Sequence, residues 1–65
     1  MTTERLAYRP AEAGRLLGVS RETVFALIQR GELRSFKVGA GRFISADELA
    51  AFIRRREAEA AGASA

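Results

Sequence analysis

The chain has 65 residues, a formal net charge of +3 at pH 7, and neither cysteine nor histidine. A chain of this length forms one small domain with a modest core. Because it has no cysteine or histidine, it lacks the usual zinc ligands, the thiol nucleophile and the commonest general base. No apolar run reaches membrane-spanning length, and the segment MTTERLAY lacks the apolar core of a signal peptide. We therefore expect a soluble cytoplasmic protein that is not an enzyme, binds no cofactor and has no membrane partner.

The positive charge is concentrated in one part of the chain. Residues 5–42 carry eight basic and three acidic side chains, a net charge of +5. Residues 43–65 carry three basic and four acidic side chains, a net charge of −1. A basic surface on one part of a small protein is typical of proteins that bind nucleic-acid phosphates.

A short segment precedes the first predicted helix. We expect residues 1–5 to be flexible, and the alternation of Leu6 and Tyr8 with polar neighbours indicates an extended segment that packs beneath the helices. Pro10 fits the first position of a helix, where its missing N–H costs nothing. Arg9 would then be the N-cap, a position that arginine fills poorly. We expect Arg9 to serve another purpose there, a contact with phosphate.

The first predicted helix follows from the spacing of small and apolar residues. Ala13, Leu16 and Leu17 lie at i, i+3 and i+4, which places them on one face. Gly14 lies where a second helix would cross closely. Gly18 tolerates the positive φ angle that ends a helix sharply.

The second helix is predicted to begin after Ser20, a good N-cap residue, and to end at Gly31. Val19 is expected to fill the turn as an apolar side chain. Its apolar face would be formed by Val24, Leu27 and Ile28. The other positions leave a polar and basic outer face. A short helix of this kind, braced by another, is the helix-turn-helix arrangement that enters the major groove of DNA. Similar helix pairs also occur in domains that bind no DNA.

After Gly31 the spacing of the apolar residues changes from the helical pattern to that of two short strands. SFKV, residues 35–38, and Arg42–Ile44 are joined by a flexible turn at Gly39–Gly41, which predicts a β-hairpin. Ser45 followed by Glu48 is a capping-box signature for a third helix, whose apolar face would be Leu49, Phe52 and Ile53. Residues 54–56, three arginines, would suit the C-terminal end of its dipole. Residues 57–65 are expected to fray into a disordered tail.

The order helix, turn, helix, hairpin, helix predicts a mostly α fold with a small β-hairpin. We interpret residues 6–56 as a winged helix-turn-helix domain with a two-stranded wing and a C-terminal helix. A hairpin beside a recognition helix can reach the phosphate backbone or the minor groove. This combination is far more specific for DNA binding than the helix pair alone.

Four segments resemble the excisionase family of small winged-helix proteins, which is related to the MerR-type DNA-binding domain. They are Tyr8, the run AEAGRLLGVSRETVFALIQRGEL from Ala11 to Leu33, FKVG from Phe36 to Gly39, and FISADELAAFI from Phe43 to Ile53. The resemblance implies a protein that binds double-stranded DNA. It would act either as an excisionase, which binds and bends DNA to assist an integrase, or as a small transcriptional regulator.

The candidate DNA-binding residues lie on the second helix and the wing: Ser20, Arg21, Glu22, Thr23, Phe25, Gln29, Arg30, Lys37, Gly41 and Arg42. Thr23, Phe25 and Gln29 are candidates for base edges, although Phe25 could equally pack at the edge of the core. Lys37 and Arg42 are expected to bind phosphate. Glu22 could accept a hydrogen bond from cytosine or could stabilise the helix N-terminus.

Two further interpretations stay open. A domain this small favours several protomers side by side on DNA, so we expect cooperative self-association. A protein-interaction module, such as a small antitoxin or an adaptor that uses the third helix, is an alternative of a different class.

Overall fold

The computed structural model describes residues 5–64. In chain order the elements are β1 (Ala7–Tyr8), α1 (Pro10–Leu17), α2 (Arg21–Gln29), β2 (Phe36–Val38), β3 (Gly41–Ser45) and α3 (Ala46–Ser64). The predicted winged helix-turn-helix, a mostly α fold with a small wing, is confirmed. No helix within the described residues is long and apolar enough to cross a membrane.

The strands form one antiparallel sheet in the order β1-β3-β2. The extended segment around Tyr8 pairs with Ile44 of β3, so the sheet has three strands and not only the two of the wing. Tyr8 packs against the core, but Leu6 is 85% exposed and does not pack beneath the helices as predicted. The reason is that Leu6 precedes the paired residues of β1, and its carbonyl accepts a hydrogen bond from the backbone N–H of Ala46.

The predicted flexibility of residues 1–4 falls outside the described residues. Arg5, the last residue of that predicted segment, is held in place: its guanidinium lies 2.7 Å from the carboxylate of Glu12 and 4.7 Å from the ring centre of Tyr8.

The turn of the wing is tighter than predicted. Val38 pairs with Gly41 across the hairpin, so only Gly39 and Ala40 connect the strands. Gly39 has a φ of +62°, whereas Ala40 does not have a positive φ. A positive φ at only the first position of a two-residue turn is the pattern of a type II′ hairpin. Gly41 therefore begins β3, because it takes part in the strand pairing, and is not a turn residue.

The helix-turn-helix follows the predicted local chemistry. Gly18 ends α1 with a φ of +79°, and the Oγ of Ser20 accepts a hydrogen bond of 3.1 Å from the backbone N–H of Thr23. Gly14 is buried against the turn: a Cβ atom there would lie 2.7 Å from the carbonyl oxygen of Val19. A close approach at Gly14 is confirmed, but it is to the backbone of the turn at Val19 and Ser20 and not to the body of the second helix.

One cluster of buried side chains joins all three helices to the sheet: Ala13, Val24, Leu27, Leu33, Ile44, Leu49 and Phe52. Three predicted core positions are wrong. Leu16 is 62% exposed because the buried stripe of α1 runs through Pro10, Ala13 and Gly14. Val19 lies at the surface of the turn, and Ile53, 42% exposed, lies at the edge of the face of α3 that Leu49 and Phe52 bury.

The third helix is longer than predicted. It runs to Ser64, past residue 57, where the sequence predicts that the helix frays; Ala65 lies outside the described residues. The arginines at 54–56 are consequently in the middle of α3 and cannot act on its C-terminal dipole, an effect confined to the last turn.

Ion pairs and hydrogen bonds anchor the start of α3. Ser45 caps the helix by accepting a hydrogen bond of 2.9 Å from the N–H of Glu48. The Glu48 carboxylate does not complete the capping box; it accepts from the backbone N–H of Arg34 at 3.1 Å and from Arg55 at 2.9 Å. Burial alone would raise the pKa of Glu48, but these two donors outweigh it and lower the pKa. Glu48 thus joins α3 to the segment that follows α2.

Candidate nucleic-acid interface

The N-terminal half of α2 presents a row of exposed polar side chains. Arg21, Glu22 and Thr23 are all exposed, as is Gln29 at the C-terminal end of the helix. The Thr23 hydroxyl lies 3.0 Å from the Ser20 hydroxyl, so the two side chains belong to one capping arrangement. Glu22 lies in the first turn of α2, where a carboxylate favours the helix dipole.

Phe25 is half-buried and supports a basic side chain. The guanidinium of Arg21, one turn earlier on α2, lies 4.8 Å from the centre of the Phe25 ring. An arginine over an aromatic face is attracted by the ring quadrupole and loses part of its freedom to rotate. Among the described residues Phe25 does not belong to the side chains that form or pack against the core, and its ring orients Arg21.

The two basic residues of the wing lie directly opposite each other. Lys37 of β2 pairs with Arg42 of β3 in the strand register, and like charges at opposed positions destabilise a β-hairpin. Arg42 is half-buried and donates a hydrogen bond of 2.7 Å to the Oγ of Ser35, whereas Lys37 is exposed. An anion bound between them would remove the repulsion.

The aromatic rings of the wing hold a further arginine. Phe36 and Phe43 are stacked with their ring centres 6.1 Å apart, and the Arg9 guanidinium lies 5.3 Å from the centre of Phe43. Gly41 leaves room for this arrangement, since a Cβ atom there would lie 3.0 Å from the Phe43 ring. The wing therefore fixes Arg9 although Arg9 belongs to neither strand.

Three of these basic residues, Arg9, Arg21 and Arg42, line one cleft of about 300 Å³ between the start of α1, the helix α2 and the wing. We call it the wing cleft; its lining includes Arg9, Arg21, Phe25, Gly41 and Arg42. No acidic residue lines it among the described residues. The structure thus brings together residues that lie more than thirty positions apart in the sequence.

The basic residues differ in whether they form ion pairs. Arg5, Arg30, Arg55 and Arg56 each form ion pairs with glutamates. Within residues 5–64 the three arginines of the wing cleft form no such pair. The wing cleft therefore gathers three arginines whose charge no carboxylate of the described residues neutralises. Four other basic residues of this part of the chain also form no ion pair but do not line the cleft: Arg15, Arg34, Lys37 and Arg54.

Arg30, a predicted DNA-binding residue, lies apart from the cleft. It follows the last residue of α2, and its Nε lies 3.0 Å from the carboxylate of Glu32. The other oxygen of Glu32 accepts from Arg56 of α3. A DNA contact by Arg30 would have to compete with this carboxylate.

Glu12 fixes the backbone of the cleft at Arg9. Its carboxylate accepts hydrogen bonds from the Arg5 guanidinium and, at 2.9 Å, from the backbone N–H of Arg9. The bond from Arg5 has the larger effect, and together the two bonds lower the pKa of Glu12 to about 2. The Arg9 side chain has no hydrogen-bond acceptor, so at the start of α1 the accepting group is the carboxylate of Glu12.

Sequence reasoning missed two of the residues that shape the cleft. Ser35 holds Arg42, and Phe43 holds Arg9. The sequence feature that indicates a role for Arg9 is that arginine is a poor N-cap residue. The signal for Phe43 was the presence of another phenylalanine, Phe36, in the other predicted strand, because aromatic side chains pair across strands.

A family model described as a helix-turn-helix domain matches residues 7–57. The chain belongs to this helix-turn-helix family. The match runs from β1 through the wing and into α3, so it includes every residue of the wing cleft. Neither a curated protein nor a solved structure matches the chain. A helix-turn-helix domain of this kind binds DNA, and DNA is therefore the partner of this protein.

Proposed function

We propose that this helix-turn-helix protein is an excisionase, which binds a specific DNA sequence and bends it to assist an integrase. It would act by binding and not by catalysis. The proposal is supported by the resemblance of the segment LLGVSRETV, with GEL and FKVG downstream, to the excisionase family.

The observation that carries the proposal is the unpaired positive charge between α2 and the wing. Arg21 stands on the helix that would enter the major groove, and Arg42 stands on the wing. A protein that holds both sides of one strand can impose a bend, because extra contacts repay the deformation energy of the duplex. Gln29 and Thr23, exposed on α2, are the candidates for reading base edges.

The small size of the domain leads to a proposal on assembly. A single module of this kind buries on the order of 600–1,000 Å² on DNA, which limits the affinity of one protomer. We expect several protomers to bind side by side and cooperatively. Footprinting over a natural target should show repeated protections with a Hill slope above one, whereas tight, non-cooperative binding to one half-site would contradict the assembly.

The excisionase role is tested by reconstituting recombination. A supercoiled substrate carrying the attachment sites of an integrated element is incubated with its integrase, with and without this protein. We expect excision only when the protein is present, and a circular-permutation gel should show a bent complex. The variant Gln29→Ala should reduce both readouts, while Arg54→Ala, which changes an exposed residue of α3, should leave both intact.

A different outcome would favour a transcriptional regulator with the same fold. In that case the protein would occupy a promoter and change transcription but would not change the yield of excision. Binding to a partner protein in the absence of any DNA affinity would favour the adaptor interpretation instead.

A further inference from the structure

We propose that the wing cleft seats a single phosphodiester group of one DNA strand, which Arg9, Arg21 and Arg42 contact jointly. This inference rests on the proposed mode of DNA binding and assigns the part of the backbone that the protein grips. Arg9 thereby becomes a DNA-binding residue although it lies outside both the recognition helix and the wing.

The geometry of duplex DNA indicates which part of the DNA would lie in the wing cleft. The two grooves of a duplex are separated by its sugar–phosphate strands. When α2 lies in a major groove and the wing reaches the adjacent minor groove, one strand has to pass between them. The wing cleft is the space between α2 and the wing. The strand backbone therefore runs through it.

The charge of the cleft is suited to a phosphate. Its three arginines come from three places, the residue before α1, the first turn of α2 and the strand β3, and none is ion-paired within the described part of the chain. A second cleft, of about 540 Å³, lies between residues 31–34 and α3 and gives a direct contrast. That cleft is lined by three arginines and three glutamates, so its charge is balanced.

The three guanidinium groups are held in place before DNA arrives. Arg9 and Arg21 lie over the rings of Phe43 and Phe25, at 5.3 Å and 4.8 Å from the ring centres. Stacking uses the face of a guanidinium, so its N–H donors at the edge stay available for a phosphate. Arg42 is fixed by one hydrogen bond to Ser35. Because the side chains are already ordered, binding loses less conformational entropy.

A salt titration tests whether the three arginines share one phosphate. The affinity of the full chain for a labelled random-sequence duplex is measured by fluorescence anisotropy over a range of salt concentrations. The variants are Arg9→Gln, Arg21→Gln, Arg42→Gln, the triple variant, and Arg54→Gln as the control from α3. The slope of log K against log salt falls by roughly 0.9 for each phosphate contact that is lost.

Sharing has a distinctive signature. We expect the triple variant to lower the slope by about one unit, and each single variant by clearly less, because two arginines still neutralise the phosphate. The control should keep the wild-type slope. Separate contacts would instead lower the slope by about one unit in each single variant and by about three in the triple variant. That result, or an unchanged slope in the triple variant, would overturn the inference.

Two further measurements keep the test decisive. Circular dichroism melts establish that each variant is folded, and if the triple variant is not, the three double variants replace it. Each double variant should lower the slope by less than one unit, against about two units for separate contacts. The proposed function would fail in a distinguishable way: wild-type protein would bind the duplex with the expected slopes, yet excision by the integrase would not depend on it.

Discussion

Substitution of Gly14 by alanine tests the packing that fixes the recognition helix. In a helix interior alanine is favoured over glycine by about 1 kcal/mol. The added Cβ, however, would lie 2.7 Å from the carbonyl oxygen of Val19 and 3.4 Å from the carbonyl carbon of Ser20. These are backbone atoms, and the N–H of Val19 is itself bonded to the carbonyl of Gly14 at 2.8 Å. The turn can therefore relieve the clash only by moving as a unit.

Overpacking costs about 1–3 kcal/mol, and a contact of 2.7 Å with backbone atoms places Gly14 in the upper part of that range, about 2–3 kcal/mol, so the propensity gain is outweighed. We expect Gly14→Ala to lower the free energy of unfolding by about 1–2 kcal/mol, which lowers Tm by about 4–16 °C in a domain of this size. Movement of the turn also displaces the start of α2, so affinity for DNA should fall. The assays are thermal melts followed by circular dichroism and anisotropy titration with a duplex.

Gly62 supplies the matched control. It is also a helical glycine, but a Cβ there would meet nothing within 4 Å. Gly62→Ala should therefore raise Tm slightly through propensity alone. If Gly14→Ala raised Tm in the same way, the close approach at the turn would not be a constraint and the reasoning would be refuted.

Three other predictions concern the candidate site. The pKa of Glu12 is lowered from an ordinary 4.5 to about 2 in the folded protein, so Glu12 stabilises the fold above pH 4.5 and this contribution is lost as the pH falls towards 2. In urea melts, Glu12→Gln should therefore destabilise the protein at neutral pH but match wild type near pH 2. Arg9→Thr should gain about 0.5–1 kcal/mol from a better N-cap and lose a similar amount with the stacking on Phe43, so thermal melts should change little while DNA affinity falls. Gln29→Ala should reduce the discrimination at one base pair by about 1–3 kcal/mol and leave the slope of log K against log salt unchanged. Lys37→Ala should weaken binding to target and scrambled duplexes alike and lower that slope by about one unit. The reverse pattern would contradict these roles.

Local signals predicted most of the fold. The glycine at 18 and the caps at Ser20 and Ser45 each act through residues at most a few positions away, and the structure confirms them. The errors concern boundaries and faces. Leu16 and Ile53 match helical periodicity, but whether such a residue is buried depends on what packs against the helix, which periodicity does not contain.

The candidate site was less accessible to sequence reasoning because it depends on distant pairs. Arg9 meets Phe43 only through the pairing of β1 with β3, and no spacing rule connects them. The role of Glu48 was misjudged for the same reason, since its partners Arg34 and Arg55 come from two other parts of the chain. Phe25, which the sequence leaves open between the core edge and the DNA interface, is half-buried and orients Arg21.

The opposed pair of Lys37 and Arg42 also bears on how this wing could evolve. A substitution that placed an acidic residue at 37 would give the hairpin a favourable cross-strand pair and a more stable fold. The same substitution would remove a positive charge that DNA needs. Selection for stability and selection for binding therefore act in opposite directions at this one position. A stabilised wing would be expected in a descendant of this protein that no longer binds DNA.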